Sequence, residues 1–306
     1  MPPANRVRFR HLQTFLEVSR QKSVARAAQI LNVSQPAVTK TLRELEAALG
    51  VTVVEREGRG IRVTRAGDIF LRHAGAAVTA LREGVESVRH VGATAGKPIR
   101  VGALPTVSAH IMPTAMKLFL KEDTGAVIKI VTGENSVLLD QLRTGVLDLV
   151  VGRLAAPEKM AEFFFEHLFS EQVLFVVRAR HPLLAAGQDL SVRLGDFPAL
   201  MPTRESVIRP FVDRFFISHG IAPPRTAIET VSDSFGRAFV RQSDAVWIIS
   251  AGVVANELAQ GAFVTLPFDT SETRGSVGLT MRTDMSPTAA FSLLLHTLRE
   301  AAAAQP

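Results

Sequence analysis

The stretch Ser23–Gly50, SVARAAQILNVSQPAVTKTLRELEAALG, decides how the rest of this 306-residue chain is read. Val24, Ala27, Ala28 and Leu31 recur at helical intervals on one face, and Val38, Leu42, Leu45 and Leu49 do the same in a second run. Two short amphipathic helices therefore share one small core. Between them Asn32 can take a turn conformation, and Ser34 is an N-cap whose hydroxyl accepts from an orphan amide of the next helix. Pro36 falls in the first turn of that helix, where no intrahelical amide partner is needed. The leading face of the second helix carries Gln35, Pro36, Ala37, Thr39, Lys40 and Arg43, groups suited to base edges, thymine methyls and phosphates. Glu44 and Glu46 follow, away from the end that would enter a groove. An ordinary helical hairpin has the same periodicity; the cap, the turn and the basic leading face together select a DNA-reading helix-turn-helix.

Working outward, residues 8–20 place Leu12, Phe15, Leu16 and Ser19 on one stripe, a first helix that packs on the other two. After Gly50, VTVVERE and IRVT flank the turn Gly58-Arg59-Gly60 and form a hairpin wing tipped by Arg56, Arg59 and Arg62. Such a wing reaches an adjacent minor groove or the phosphate backbone. Thr64 is the next N-cap, opening a long helix to about Val91. Its apolar positions Phe70, Ala74, Ala77, Leu81, Val85, Val88 and Val91 approximate a coiled-coil seam, which favours a dimerising helix over packing of the stripe within its own chain. HVGATAGKP then acts as a linker. Gly92, Gly96 and Lys97 within it do not make a phosphate loop, because Pro98 stands where Ser or Thr is needed and no strand precedes them.

Charge points the same way. Residues 1–66 hold 12 Lys/Arg against 5 Asp/Glu, whereas the remaining 240 hold 23 against 24. The basic excess is confined to the helix-turn-helix end, as expected of a polyanion-binding face. With no cysteine, disulfides and thiolate metal sites are excluded, and the eight histidines include no pair at metal-ligating spacing. No apolar run marks a signal peptide or a membrane span, so the expectation is a soluble, cytoplasmic chain without a metal or cofactor.

From Ile99 the register changes to alternating strands and helices. IRVGAL, AVIKIVT and VLDLVVG read as strands, with helices at about Ser108–Glu122 and Asn135–Thr144 between them, an order that predicts a parallel sheet with crossover helices. FFFEHLFSEQVLFVVRARHPL reads as one or two strands leading into a second unit. That unit has strands FPALM, TAIET and AVWIIS and helices near Ser206–His219, Asp233–Arg241 and Gly252–Gln260. SVGLTMR and a helix over Pro287–Ala303 close the chain. The fold class is α/β multidomain. It comprises a winged helix-turn-helix over residues 1–65, a linker helix and hinge over 66–97, and a two-lobed effector domain over 98–306. Lobe I covers about 98–168 and 269–306, and lobe II about 169–268. A cleft between two α/β lobes is the default ligand site.

These features together resemble the LysR-type transcriptional regulators, and the resemblance spans essentially the whole chain. It is carried by VARAAQILNVSQPAVTKTLRELE (24–46), by VVEREGRGIRVTRAG (53–67) running into the linker helix, and by GALPTVSAHIMP (102–113). It implies a winged helix-turn-helix, a periplasmic-binding-protein-like effector domain, a homodimer formed through the linker helix, and a homotetramer built as a dimer of dimers. Double-stranded promoter DNA and RNA polymerase are the implied macromolecular partners. Matched by position, Gln35, Pro36, Thr39 and Lys40 face bases, Ser34 and Arg43 contact phosphate, and Arg59 enters the minor groove. Lys40 stands where arginine is common, which weakens any bidentate guanine contact. Thr106 matches the polar residue that holds a ligand carboxylate, and Asn135 its partner at the next helix start.

The segments 230–254 and 266–282 further resemble a subgroup that includes regulators of protocatechuate catabolism and of sugar uptake, with Ser243-Asp244-Ala245 and Ser250 replacing a glycine-rich pattern of the wider family. A small carboxylate coinducer from aromatic ring cleavage is implied. The residues support an anion on their own account. Thr106 and Ser108, Asn135, Thr203-Arg204-Glu205-Ser206, and Ser232-Asp233-Ser234 all occupy strand-to-helix turns, where short donors and helix dipoles favour negative charge. Thr106, Ser108, Asn135, Thr203, Arg204, Ser206, Ser232 and Ser234 are therefore the candidate effector residues. Each hydroxyl could equally cap its own helix; four convergent turns favour a shared site. A transport-type binding protein would account for the effector half but not for the basic N-terminal module. No nucleophile elbow, paired-His motif or cofactor fingerprint supports an enzyme, so no catalytic residue is nominated.

Overall fold

The computed structural model describes residues 6–58, 60–89, 98–185, 187, 189–285 and 287–304. They divide into two compact units, Met1–Lys97 with Arg143–Val146, and Pro98–Leu142 with Leu147–Pro306.

In the N-terminal unit, α1 (Phe9–Gln21), α2 (Val24–Ile30) and α3 (Gln35–Leu49) pack around Phe15, Val18, Ala27, Ala28, Val38, Leu42 and Leu45. Asn32 turns the chain with φ of +53°, and the Ser34 hydroxyl accepts from the Ala37 amide at 3.4 Å. The strands β1 (Val54–Glu57) and β2 (Gly60–Val63) pair antiparallel around Gly58, whose φ of +57° suits the turn. Arg59 lies outside the described residues. The wing is tied to α3 by Glu46, whose Oε1 accepts from the amides of Val53 and Val54 at 2.9 and 3.4 Å.

Thr64 caps α4 (Arg65–Arg89), accepting from the Gly67 amide at 3.0 Å. Phe70 and Ala74, placed on a dimer seam by their spacing, pack instead on the unit's own core, with the Phe70 and Phe15 ring centres 5.5 Å apart. The reason is local, since the first turns of α4 lie against α1. Further along, Leu81 and Val85 are 50% and 46% exposed. Val91 and the linker over 90–97 lie outside the described residues.

The C-terminal unit opens with β3 (Ile99–Ala103), α5 (Pro105–Ser108), α6 (Ile111–Phe119), β4 (Ile128–Thr132), α7 (Asn135–Arg143), β5 (Leu149–Arg153), α8 (Pro157–Met160) and β6 (Phe163–Glu171). The chain then crosses to a second lobe. This holds β7 (Val173–Arg178), α9 (Leu190–Arg193), β8 (Ala199–Met201), α10 (Arg209–Ser218), β9 (Ala227–Glu229), α11 (Asp233–Gln242), β10 (Val246–Ser250), α12 (Ala251–Ala259) and β11 (Phe263–Thr265). It returns with β12 (Gly275–Arg282) and α13 (Ala289–Ala303). The two sheets run β4-β3-β5-β12-β6 and β11-β7-β10-β8-β9.

The strands β3, β4 and β5 are parallel, as the βαβαβ order predicts, but β12 runs antiparallel to both β5 and β6, so the sheet is mixed. The single helix expected over Ser108–Glu122 is broken at Ala109-His110. Pro113 explains the break, because a proline inside a continuous helix would clash with the carbonyl four residues earlier, whereas it fits the first turn of a new one. Pro210 likewise sits in the first turn of α10, which starts at Arg209 rather than near Ser206. The short strand β11 was not anticipated from the sequence.

Candidate DNA interface and effector cleft

The exposed face of α3 forms a shallow concavity of about 610 Å³ lined by Gln35, Pro36, Thr39, Lys40, Arg43, Glu44 and Ala47. Ser34, Gln35, Pro36, Lys40 and Arg43 are exposed there, and Thr39 is half-buried, its hydroxyl donating to the Gln35 carbonyl at 3.1 Å. One carboxylate that the sequence set aside belongs to the same surface. Glu44 Oε2 accepts from Arg10 at 2.8 Å and lies 3.3 Å from His11 Nε2, and the bond from Arg10 holds its carboxyl below the usual range. A neighbouring hollow is lined by Arg6, Arg8, Arg10 and His11. The face is thus more cationic than α3 alone indicates, because Arg6 and Arg8 ahead of α1 border it and Arg10 of α1 neutralises Glu44.

In the effector half, the candidate residues separate into groups. Thr106, 6% exposed, lies in the single turn of α5, just past the carboxyl end of β3. Asn135, also 6% exposed, donates through Nδ2 to the Arg153 carbonyl at 3.5 Å. From lobe II, the Thr203 hydroxyl donates to Glu134 Oε1 at 3.1 Å, directly bridging the lobes beside Asn135. Ser108 donates to the Pro105 carbonyl at 3.2 Å, and half-buried Ser206 follows Thr203 in its turn. Ser232 caps α11, accepting from the Phe235 amide at 3.3 Å, and lies 3.2 Å from the Ser234 hydroxyl; both serines are exposed.

Arg204, the one cation among the candidate effector residues, is exposed. A different arginine is buried between the lobes. Arg153 ends β5, is 3% exposed, and places its guanidinium carbon 4.7 Å from the centre of the Phe211 ring on α10. Its Nη2 donates to the Thr273 carbonyl, where the chain returns from lobe II. Near it Glu171, 8% exposed, is pushed up to about 7, chiefly by burial. Asp233 at the start of α11 is also raised, to about 6, by burial first and by the nearby Glu257, with Arg237 opposing. Neither Arg153 nor Glu171 was singled out from the sequence. The available signal was positional: a charged residue closing a buried strand at its carboxyl end, where open α/β sheets bind ligands.

Among the described residues no helix is long and apolar enough to cross a membrane. Residues 9–68 match the model of the bacterial regulatory helix-turn-helix protein, lysR family, and residues 93–303 match the LysR substrate binding domain. The HTH-type transcriptional regulator PcaQ of Agrobacterium fabrum is 63% identical over 297 residues, 97% of this chain and 96% of that protein. GbpR of Azospirillum brasilense is 30% identical over 272 residues, covering 87% of this chain and 80% of its own length. Among solved structures, full-length CbnR in complex with its target DNA superposes with a TM-score of 0.55 at 20% identity, covering 96% of this chain and all of that one. The likeness to CbnR is one of fold. With both family models matched and near full-length identity to PcaQ, the chain belongs to the LysR family and is a DNA-binding transcriptional regulator.

Proposed function

We propose that this regulator activates an operon of aromatic, specifically protocatechuate, catabolism when a small carboxylate coinducer enters the cleft between its effector lobes. The observation that carries this reading is the 63% identity to PcaQ along 97% of the chain. The polar interlobe groups Thr106, Asn135, Thr203 and Arg153 give it chemical support. The working unit is a cytoplasmic homodimer joined along α4, where Leu81 and Val85 stand exposed, and paired into a homotetramer on promoter DNA. Ligand binding shifts a pre-existing equilibrium between lobe arrangements, which alters the spacing of the DNA-reading heads and the contact with RNA polymerase. No catalytic step enters the scheme.

Calorimetric titration with 3-carboxymuconate and with galactose tests the effector class, and a mobility-shift assay on the adjacent divergent promoter tests the target. Binding of the acid with a shift in operator footprint is the expected result. The 30% identity to GbpR favours the second reading, control of sugar uptake, which binding of the neutral sugar alone would establish.

A further inference from the structure

The two chain crossings between the effector lobes enclose a cluster of buried polar groups. Glu171 closes β6 just before the first crossing, and Thr270 and Thr273 lie in the second. Glu171 Oε2 accepts from the amide of Gly252, in the first turn of α12, at 3.1 Å. The hydroxyls of Thr106, on α5, and Ser250, on β10, also face this carboxyl and favour its charged form. His110, between α5 and α6, borders the same space. A Cβ at Gly252 would lie 3.0 Å from Glu171 Oε2 and 3.3 Å from His110 Nδ1. From β5, the cation Arg153 acts on Glu171 and favours its charged form.

This cluster is short of partners. Among the described residues, Nε and Nη1 of Arg153, Oε1 of Glu171 and Nδ1 of His110 find no hydrogen-bond partner. Buried polar groups in native proteins are satisfied in the great majority, so each exception calls for a physical explanation. Arg153 is the sharpest case, a guanidinium with unused donors, set between lobe I and the Phe211 ring of lobe II. Burial raises Glu171 to about 7 and lowers His110, so near neutrality the carboxylate only partly offsets Arg153 and the imidazole is uncharged.

We infer that Arg153 is the fixed cation that receives an effector carboxylate between the lobes, and that Glu171 takes up a proton from solvent as that anion enters. The inference rests on the carboxylate reading of the effector. Its physical basis is that two carboxylates sharing one buried cation cannot both stay ionised cheaply. Opposite Arg153 the cluster therefore accommodates at most one negative charge. Either Glu171 supplies it, drawing the Gly252 amide of lobe II toward lobe I, or the ligand does, and the protonated Glu171 becomes a donor. Effector binding is thereby linked to pH, and the charge on Glu171 competes with the ligand.

The test is calorimetry on the full-length protein with 3-carboxymuconate, whose carboxyl groups stay ionised across the range used. Titrations at about pH 7.5 in phosphate and in Tris separate proton uptake from binding heat, because the two buffers differ in ionisation enthalpy. The wild type should take up roughly half to one proton per ligand, and its Kd should rise by up to about tenfold per pH unit above neutrality. Glu171→Gln should bind the acid with no proton uptake and a flat pH profile, and Arg153→Met should raise Kd by at least about tenfold, the loss of one charge-assisted contact. Should Arg153→Met fail to fold, the Glu171→Gln comparison still decides. Wild-type binding with no buffer dependence, or an unchanged pH slope in Glu171→Gln, overturns the inference and leaves the carboxylate reading standing. Failure of the wild type to bind the acid at all overturns that reading, and this inference with it.

Discussion

The guanidinium of Arg10, on the first helix, donates to Glu44 of the recognition helix at 2.8 Å. The pair is exposed, and exposed ion pairs contribute little to folding. Its consequence is for DNA: on the face proposed to meet phosphates, a carboxylate is neutralised by a neighbouring helix. Arg10→Ala should weaken operator and random DNA alike without changing the melting temperature, and adding Glu44→Gln should restore much of the loss. Fluorescence anisotropy at two salt concentrations measures both. Unaltered affinity in Arg10→Ala would show that Glu44 is not facing the phosphates.

Sequence discrimination should reside in Gln35 and Thr39. Replacing either by Ala should remove a base contact worth roughly 1–3 kcal/mol and lower operator affinity toward the non-specific level. Arg43→Ala should lower both affinities and make the salt dependence shallower by about one unit of slope. Competition binding against random duplex distinguishes these outcomes, and Gln35→Ala with full operator preference would displace α3 from the major groove.

Leu81 and Val85, two positions of the seam, are half exposed on α4. Leu81→Glu would bury an unpaired charge against its twin, at a cost of about 3–5 kcal/mol by analogy with broken buried pairs. The expected product is a monomer by light scattering that binds a palindromic site poorly. A stable dimer in this variant would place the interface elsewhere.

Gly67, in the first turn of α4, is a tight contact. A Cβ there would come within 2.1 Å of the Val53 carbonyl oxygen and 2.6 Å of Val63 Cγ1. Helix propensity favours Ala over Gly by about 1 kcal/mol. The overlap is with backbone and wins, since overpacking costs about 1–3 kcal/mol or more. Gly67→Ala should therefore lower the melting temperature of the DNA-binding unit, followed by circular dichroism. A gain in stability would mean that the wing moves away from α4 freely.

The raised Glu171 carboxyl also has a stability signature. Its folded value, about 7, lies above the ordinary 4.5, so the folded state binds more protons than the unfolded state between those values. The penalty for burying its charge is absent below about pH 4.5 and grows as pH rises toward 7. Glu171→Gln should therefore be more stable than wild type at about pH 8, by on the order of 3 kcal/mol as an upper bound, with the difference vanishing in acid. Thermal melts across that range check the sign. A variant less stable than wild type at the alkaline end would mean that the charged form is the one the fold favours.

Local pattern was enough to identify this protein's DNA-reading module. The cap at Ser34, the turn at Asn32, Pro36 and the apolar spacing through Leu49 act within a few residues of one another, so their geometry follows from the chain alone. The βαβαβ order of the first effector strands was legible for the same reason. The groups that set the chemistry between the lobes were not. Arg153 and Glu171 lie on separate strands, Gly252 and Phe211 come from the other lobe, and Thr273 belongs to the returning crossing. Burial and charge partnership are properties of what the whole fold brings together: Arg204, the cation the sequence offered for the cleft, is exposed, while Arg153 is the arginine buried between the lobes. Pairing of β12 between β5 and β6 was hidden likewise, because a contact more than a hundred residues apart leaves no periodicity in either strand. Sequence determined the elements whose causes are local, and tertiary structure alone decided which buried charges face one another.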